Sequence, residues 1–202
     1  VNPRDIKLIV SNHSEMDHSG CLPEMIRMIA PEQVVASPMG AKTLGKIFPA
    51  GLNIKEVKDG EKLSLGNMSL QFMETRMLHW PDSMFSYLPE EEILFSQDAF
   101  GMHLATAERF DDEIDPAVLA YEGATYFANI ILPYAPLVTK LLARVAAAGI
   151  TCRYIAPDHG PIWRRDIPGV ISRYDRWAAQ RPTSKAVVVY GTMWHSTERM
   201  AR

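Results

Sequence analysis

The chain predicts an α/β (α+β) fold on three observations. Short apolar runs alternate with segments of helical period along most of its length, several runs alternate apolar with polar residues at period two, and prolines and glycines stand where helices start and stop. Its 202 residues are 47% hydrophobic, enough for one ordinary core or one core plus a fragment, which excludes wholesale disorder. Ile6 to Ser11 reads as a buried strand, and Pro23 opens a helix through Ile29. Gln33 to Ser37 is the next strand and Gly40 to Phe48 a short helix. Ile54 to Val57, Lys62 to Leu65 and Met68 to Glu74 have the period of strands with one wet face. Met84 to Leu88 and Ile93 to Ser96 flank Pro89-Glu90-Glu91-Glu92 as a hairpin. Asp115 to Gly149 is helical, with Leu137, Leu141, Leu142 and Val145 on one face and Gly149 as the cap. A strand at Arg153 to Ala156 and a helix at Val170 to Gln180 follow. Arg181-Pro182-Thr183-Ser184 reads as a linker, and beyond it lie a β-branched strand, Lys185 to Tyr190, a loop and a helical start at Thr197 to Arg202.

Composition removes several function classes. A net charge of −3 is far from the basic balance of a nucleic-acid binder, so no nucleic-acid partner is expected. Phe127 to Val138, interrupted by Asn129, Pro133 and Pro136, falls short of the roughly 20 apolar residues that span a bilayer, so no membrane is expected. Two cysteines, Cys21 and Cys152, are too few for a disulfide scaffold, and each reads as a small core residue; a reducing, cytoplasmic setting is the expectation. The opening is no signal peptide, since Arg4, Asp5 and Lys7 interrupt it, and a strand arriving so early suggests a start inside a longer protein.

Chemistry concentrates in His13-Ser14-Glu15-Met16-Asp17-His18, where four candidate metal ligands follow a strand. Residues 13, 15 and 17 of an extended segment project to one side, and a bend at Ser19-Gly20 turns Asp17 and His18 away, so His13 and Glu15 can serve one cation and Asp17 and His18 its neighbour. His79, Asp98 and His159 each lie just beyond another predicted strand, and strand-end loops on one sheet edge can converge on a single site. With Asp98 as a bridge, His13, Glu15 and His79 serve one cation and Asp17, His18 and His159 the other. Three carboxylates leave two divalent cations one charge short of neutrality, which a hydroxide supplies. A mixed imidazole and carboxylate set favours redox iron without excluding zinc or manganese, and zinc alone cannot change oxidation state.

The pattern His13-x-Glu15-x-Asp17-His18 with His79, Asp98 and His159 resembles the ligand set of flavodiiron proteins, or A-type flavoproteins. Asp17-His18-Ser19-Gly20 and Ala156-Pro157-Asp158-His159-Gly160-Pro161 extend the resemblance. Hydrolytic relatives of that fold use histidine where this chain has Glu15. The resemblance implies a metallo-β-lactamase-like αββα sandwich over residues 1–181, lacking its N-terminal strands, then the first strand, loop and helix of a flavodoxin-like domain over 182–202. It implies two non-haem iron ions and FMN. It further implies reduction of dioxygen to water or of nitric oxide to nitrous oxide, with a rubredoxin or a flavin reductase as donor and a head-to-tail homodimer or a homotetramer as the assembly. A binuclear zinc hydrolase of the same superfamily is the alternative, and a non-catalytic remnant a third reading.

Within that resemblance, Thr192-Met193-Trp194-His195-Ser196-Thr197 is similar to the family's FMN phosphate loop: the hydroxyls of Thr192, Ser196 and Thr197 and the amides of Met193 to His195 would face the phosphate at a helix start. Trp194 is placed near the flavin, near the iron pocket of a neighbouring chain, or in plain packing, and His195 in solvent. Tyr126 resembles a residue near the substrate pocket, its phenol a donor to an oxygen species at the metals, against a reading as core. Asp82 and Asp158 are candidates to orient ligand imidazoles, His103 is assigned to the surroundings of the centre or the surface, and Trp80, Met84 and Phe85 to an apolar wall.

Overall fold

The computed structural model describes residues 1–49 and 51–202. Strands β1 (Leu8–Ser11), β2 (Gln33–Ala36) and β3 (Ile54–Glu56) form a parallel sheet in that order. Strands β4 (Lys62–Ser64), β5 (Ser69–Glu74), β6 (Met84–Leu88), β7 (Ile93–Gln97) and β8 (Tyr154–Pro157) form a second sheet in sequence order, antiparallel until β8 joins β7 in parallel. The predicted hairpin is the β6/β7 pair, with Leu88 opposite Ile93.

The sheets stack face to face and helices cover both outer faces, which makes the αββα order of layers. Val35, Val57, Leu70, Phe72 and Met84 are buried between the sheets. Helices α2 (Leu22–Ile29) and α3 (Pro38–Ile47) cover the parallel sheet through Leu22, Ala36 and Leu44. Helices α4 (Pro116–Tyr126), α5 (Ala135–Ala147) and α6 (Ile167–Ala178) cover the other sheet, with Phe85, Leu94, Ile155, Leu119, Ile131, Leu141 and Val170 in its core. Each such side chain contributes about 1.5–3 kcal/mol on burial, so these seams fix where the strand ends lie. A four-residue helix, α1 (Met16–Ser19), and a final short one, α7 (Ser196–Ala201), complete the α-helices of the described residues.

Local chemistry explains the boundaries. Ser37 accepts from Gly40 N at the start of α3 and Asp115 from Ala117 N at the start of α4, each with proline following at the first helical position. Gly149 takes φ +64° just past α5, where a side chain is disfavoured. Asn12, directly after β1, stitches the layers: its carbonyl accepts from Met84 N at 3.0 Å and its side-chain oxygen from Ser86 Oγ at 2.5 Å.

Two expectations change. Between α4 and α5 the helix widens into a π segment at Phe127–Ile131 and then tightens into a 3₁₀ turn at Leu132–Tyr134, where Pro133 has no N–H to donate. The resulting helical run, Pro116–Ala147, is long and apolar enough by length and composition to cross a membrane, contrary to the shorter stretch read from the sequence; its inner face is committed to the core. Lys185 to Tyr190 is not a strand. A strand needs a neighbour for its backbone groups, none of the sheets among the described residues reaches it, and Val187, Val188 and Val189 stand exposed.

Candidate metal centre

Seven polar side chains converge where strand ends of both sheets meet. His13 and Glu15 follow β1, Asp17 and His18 lie on α1, His79 sits in the β5–β6 loop, Asp98 follows β7 and His159 follows β8. The convergence forms two groups around one shared residue. His13, Glu15, His79 and Asp98 offer atoms within 4.8 Å of one another, as do Asp17, His18 and His159. Asp98 is 1% exposed and turns one oxygen to each group. Its Oδ2 lies 3.3 Å from His13 Nε2 and 3.2 Å from His79 Nε2; its Oδ1 lies 3.2 Å from His18 Nε2 and 3.3 Å from His159 Nε2. Glu15 Oε2 is 3.2 Å from both His13 and His79 Nε2, and Asp17 is 3.5 Å from His18 and 3.3 Å from His159.

These separations suit cations. Donors about 2.1 Å from a common ion stand roughly 3.0–3.4 Å apart, depending on coordination geometry. Asp98 Oδ2 and His18 Nε2 are buried and face only the other donors of their own groups, so each is directed at the middle of its group. Two hydrophilic clusters that share one carboxylate thus fit a pair of cations, and the mixed imidazole and carboxylate donors suit iron as they would zinc or manganese.

The electrostatics run the same way. Burial opposes charge on His13, but the Asp82 and Asp98 carboxylates outweigh it and hold its pKa above the ordinary histidine value. Burial likewise opposes charge on His18, where Asp158 and Asp98 prevail and push it up to about 10. Asp98, which burial alone would raise, is held well below the usual carboxylate range by hydrogen bonds and charge from His18, His79 and His13. A cation entering this cluster therefore displaces protons from imidazoles.

Surrounding residues refine the expectations. Asp82 and Asp158 do face ligand-candidate imidazoles, though not those of their sequence neighbours: Asp82 Oδ1 is 3.4 Å from His13 Nδ1, long for a hydrogen bond, and Asp158 Oδ2 is 3.1 Å from His18 Nδ1. Tyr126 donates its phenol to Asp98 Oδ1 at 3.1 Å, so that hydrogen is already engaged; burial and then the Asp98 charge raise its pKa and keep it a neutral donor. Trp80 stands edge-on to His13 at 5.3 Å between ring centres, whereas Met84 and Phe85 belong to the two sheet cores and line no wall of the centre. His103 is exposed with its ring 4.8 Å from Tyr126 and 5.5 Å from His159. Sequence reasoning passed over Gln97, which is fully buried and donates from Nε2 to the Leu78 carbonyl at 2.6 Å. It also passed over Tyr174 and Trp163, which hold Phe100 N and Phe100 O beside the Asp98 loop.

The tail is a different environment. Thr192, Met193, Trp194, His195, Ser196 and Thr197 are all exposed, and α7 has six residues with no side-chain cap. Their hydroxyls and amides enclose nothing. His195 Nδ1 lies 2.8 Å from Glu198 Oε2.

Comparison with known proteins gives three findings. Residues 1–160 match the family model described as ODP family beta lactamase. A protein named nitric oxide reductase from Moorella thermoacetica is 42% identical over 99% of this chain and 50% of its own length. Among solved structures, rubredoxin oxygen:oxidoreductase from Desulfovibrio gigas superposes with a TM-score of 0.95 at 42% identity over 100% of this chain and 51% of that one, and a flavodiiron protein from Giardia intestinalis with 0.92 at 34% over 99% and 49%. The chain spans about half the length of the curated relatives it matches.

Proposed function

From the premise that this chain belongs to the ODP family beta lactamases, we propose that it carries the di-iron centre of a flavodiiron oxidoreductase that reduces dioxygen to water, nitric oxide to nitrous oxide, or both. The resemblance read from His13, Glu15, Asp17, His18, His79, Asp98 and His159 agrees with these relatives, and so does the metallo-β-lactamase-like fold. One observation carries the reading: the two oxygens of buried Asp98 each face a separate cluster of two imidazoles and a carboxylate. Two iron ions bound there would supply the reversible one-electron changes that gas reduction requires.

The chain's own residues do the rest of the work by placement. Asp98 spans both cation positions with a rigid, short side chain, and Glu15 and Asp17 add one anionic oxygen to each. Tyr126 acts through Asp98: as a neutral phenol it stabilises the ionised carboxylate without adding charge, which makes it a positioning residue. Trp80 shields His13 from water on one side.

Electron supply from FMN belongs to the proposal and rests on the similarity of Thr192 to Thr197 to a phosphate loop. Those side chains are exposed and form no enclosure in this structure, so no electron-transfer step is derived from them. A rubredoxin or flavin reductase as donor, a head-to-tail dimer or a tetramer, a cytoplasmic setting, the absence of membrane and nucleic-acid partners, and a domain boundary near Arg181 are part of the same proposal.

Metal analysis and amperometry on the intact, anaerobically reduced protein test it. Two iron ions per chain with consumption of either gas are expected; Glu15→His should abolish consumption with the fold retained. Two zinc ions with hydroxide-driven ester or phosphodiester hydrolysis would establish the hydrolase reading instead.

A further inference from the structure

We propose that the two cation positions hold metal unequally and fill in order: the position among His13, Glu15 and His79 first and tightly, the position among Asp17, His18 and His159 second and exchangeably. This rests on the two-cation reading above. Donor chemistry does not separate the positions, because each has two imidazoles and one carboxylate of its own and both share Asp98. What differs is how the donors are held before a cation arrives.

The first position is cross-braced by buried side chains. Gln97 ties the residue before Asp98 to the residue before His79, through the 2.6 Å bond from its Nε2 to the Leu78 carbonyl. Asp82, in the loop that carries His79, reaches across to the His13 segment: its Oδ2 accepts from Ser14 N at 2.6 Å and its Oδ1 lies beside His13 Nδ1. Asp82 is itself fixed, since its carbonyl accepts from Ser37 Oγ at 2.7 Å. The three segments that supply His13, His79 and Asp98 are thus fastened to one another, and the His13 side chain has no exposure.

The second position is tied mainly through backbone, Asp158 N donating to the Gln97 carbonyl at 2.9 Å, with Ser19 Oγ on the Ser14 carbonyl at 2.8 Å, and its own donors are more exposed. Asp17 has 51% of its side chain exposed, on a four-residue helix whose first turn has no side-chain cap. His159 is 25% exposed. The partner of His18 is Asp158, itself 36% exposed where Asp82 is 2%. Exposed donors keep rotational freedom and water contacts that a cation must displace. Partners that orient metal ligands typically set about 10–100-fold in affinity, which fixes the scale of the expected difference.

The test is a titration of the intact, metal-free protein with cobalt(II), followed by the ligand-field absorption of the bound ion and by metal content after gel filtration. Two phases are expected, the first equivalent tighter by about 10–100-fold. Asp158→Ala, at an exposed position, should weaken only the second phase, and Gln97→Met the first more than the second, since the tie to Leu78 belongs to the His79 side alone. Should Gln97→Met fail to fold, Asp158→Ala alone decides. A single phase for both equivalents, or an Asp158→Ala effect on the first, overturns the ordering while leaving the two-cation reading in place. Fewer than two equivalents bound by the unaltered protein removes that reading and the ordering with it.

Discussion

His13 to His18 and Thr192 to Thr197 are alike on paper and unlike in the fold. Both are short polar segments that follow an apolar run and lead into a helix. The first lies where two sheets end, so His79, Asp98 and His159 arrive from three other loops, His13 is buried and His18 nearly so, and both imidazoles are opposed by complementary charge. Among the described residues the second meets only its own short helix, through His195 and Glu198: its apolar run is unpaired and its side chains are exposed. Donor chemistry is therefore only half of a site. The other half is a set of packed elements that bring distant donors within reach and exclude water.

Removing the shared residue should produce the largest contrast between the two regions. Asp98→Asn takes away the one carboxylate that faces both clusters, and metal analysis should then find one ion or none per chain in place of two. Tyr126→Phe should come next: the buried Asp98 oxygen loses its phenol donor, and unfolding of the metal-free protein by urea should report a loss of about 1–3 kcal/mol. Val188→Asp, in the exposed run, should shift the same midpoint by no more than about 0.5 kcal/mol; a larger cost would mean that this segment packs after all. In the 202-residue chain, trypsin should cut after Lys185 before any site within residues 1–181, since this backbone is exposed and outside both sheets.

The smallest effect concerns the two thiols. Cys152 is half-buried, and burial followed by the nearby Glu92 charge pushes its pKa up to about 11, so only about a thousandth is thiolate at pH 8. Cys21 is exposed rather than part of a core. Iodoacetamide at pH 8 should label Cys21 first, by mass spectrometry, and equal rates would show that Cys152 opens to solvent.

Much of the centre was legible because metal chemistry restricts residue type. Histidines and carboxylates just past strand ends have few other reasons to recur, so all seven could be chosen; alternation alone would put Glu15 and Asp17 on one side, and it is the turn into α1 that sends Asp17 and His18 to the second group. The layers were legible for a similar reason: period two in Ser69–Glu74 and helical spacing in Leu137 to Val145 declare which face is buried. Tertiary pairing was not. Asp82 stands three residues from His79 yet serves His13, and nothing about a glutamine before Asp98 announces a brace to Leu78. Lys185 to Tyr190 shows the converse failure, since β-branched composition states a preference and a neighbouring strand has to realise it.

Asn12 carries a consequence for the whole centre. By clasping Met84 and Ser86 one residue ahead of His13, it sets how far one layer can slide along the other. His13 and Glu15 ride on the first layer while His79, Asp98 and His159 ride on the second, so the gap between the two donor groups is gauged by the packing of Val35, Val57, Phe72 and Met84 between the layers. A change of volume at that distant interface should be read out as weakened metal binding, because the same two layers meet at both places.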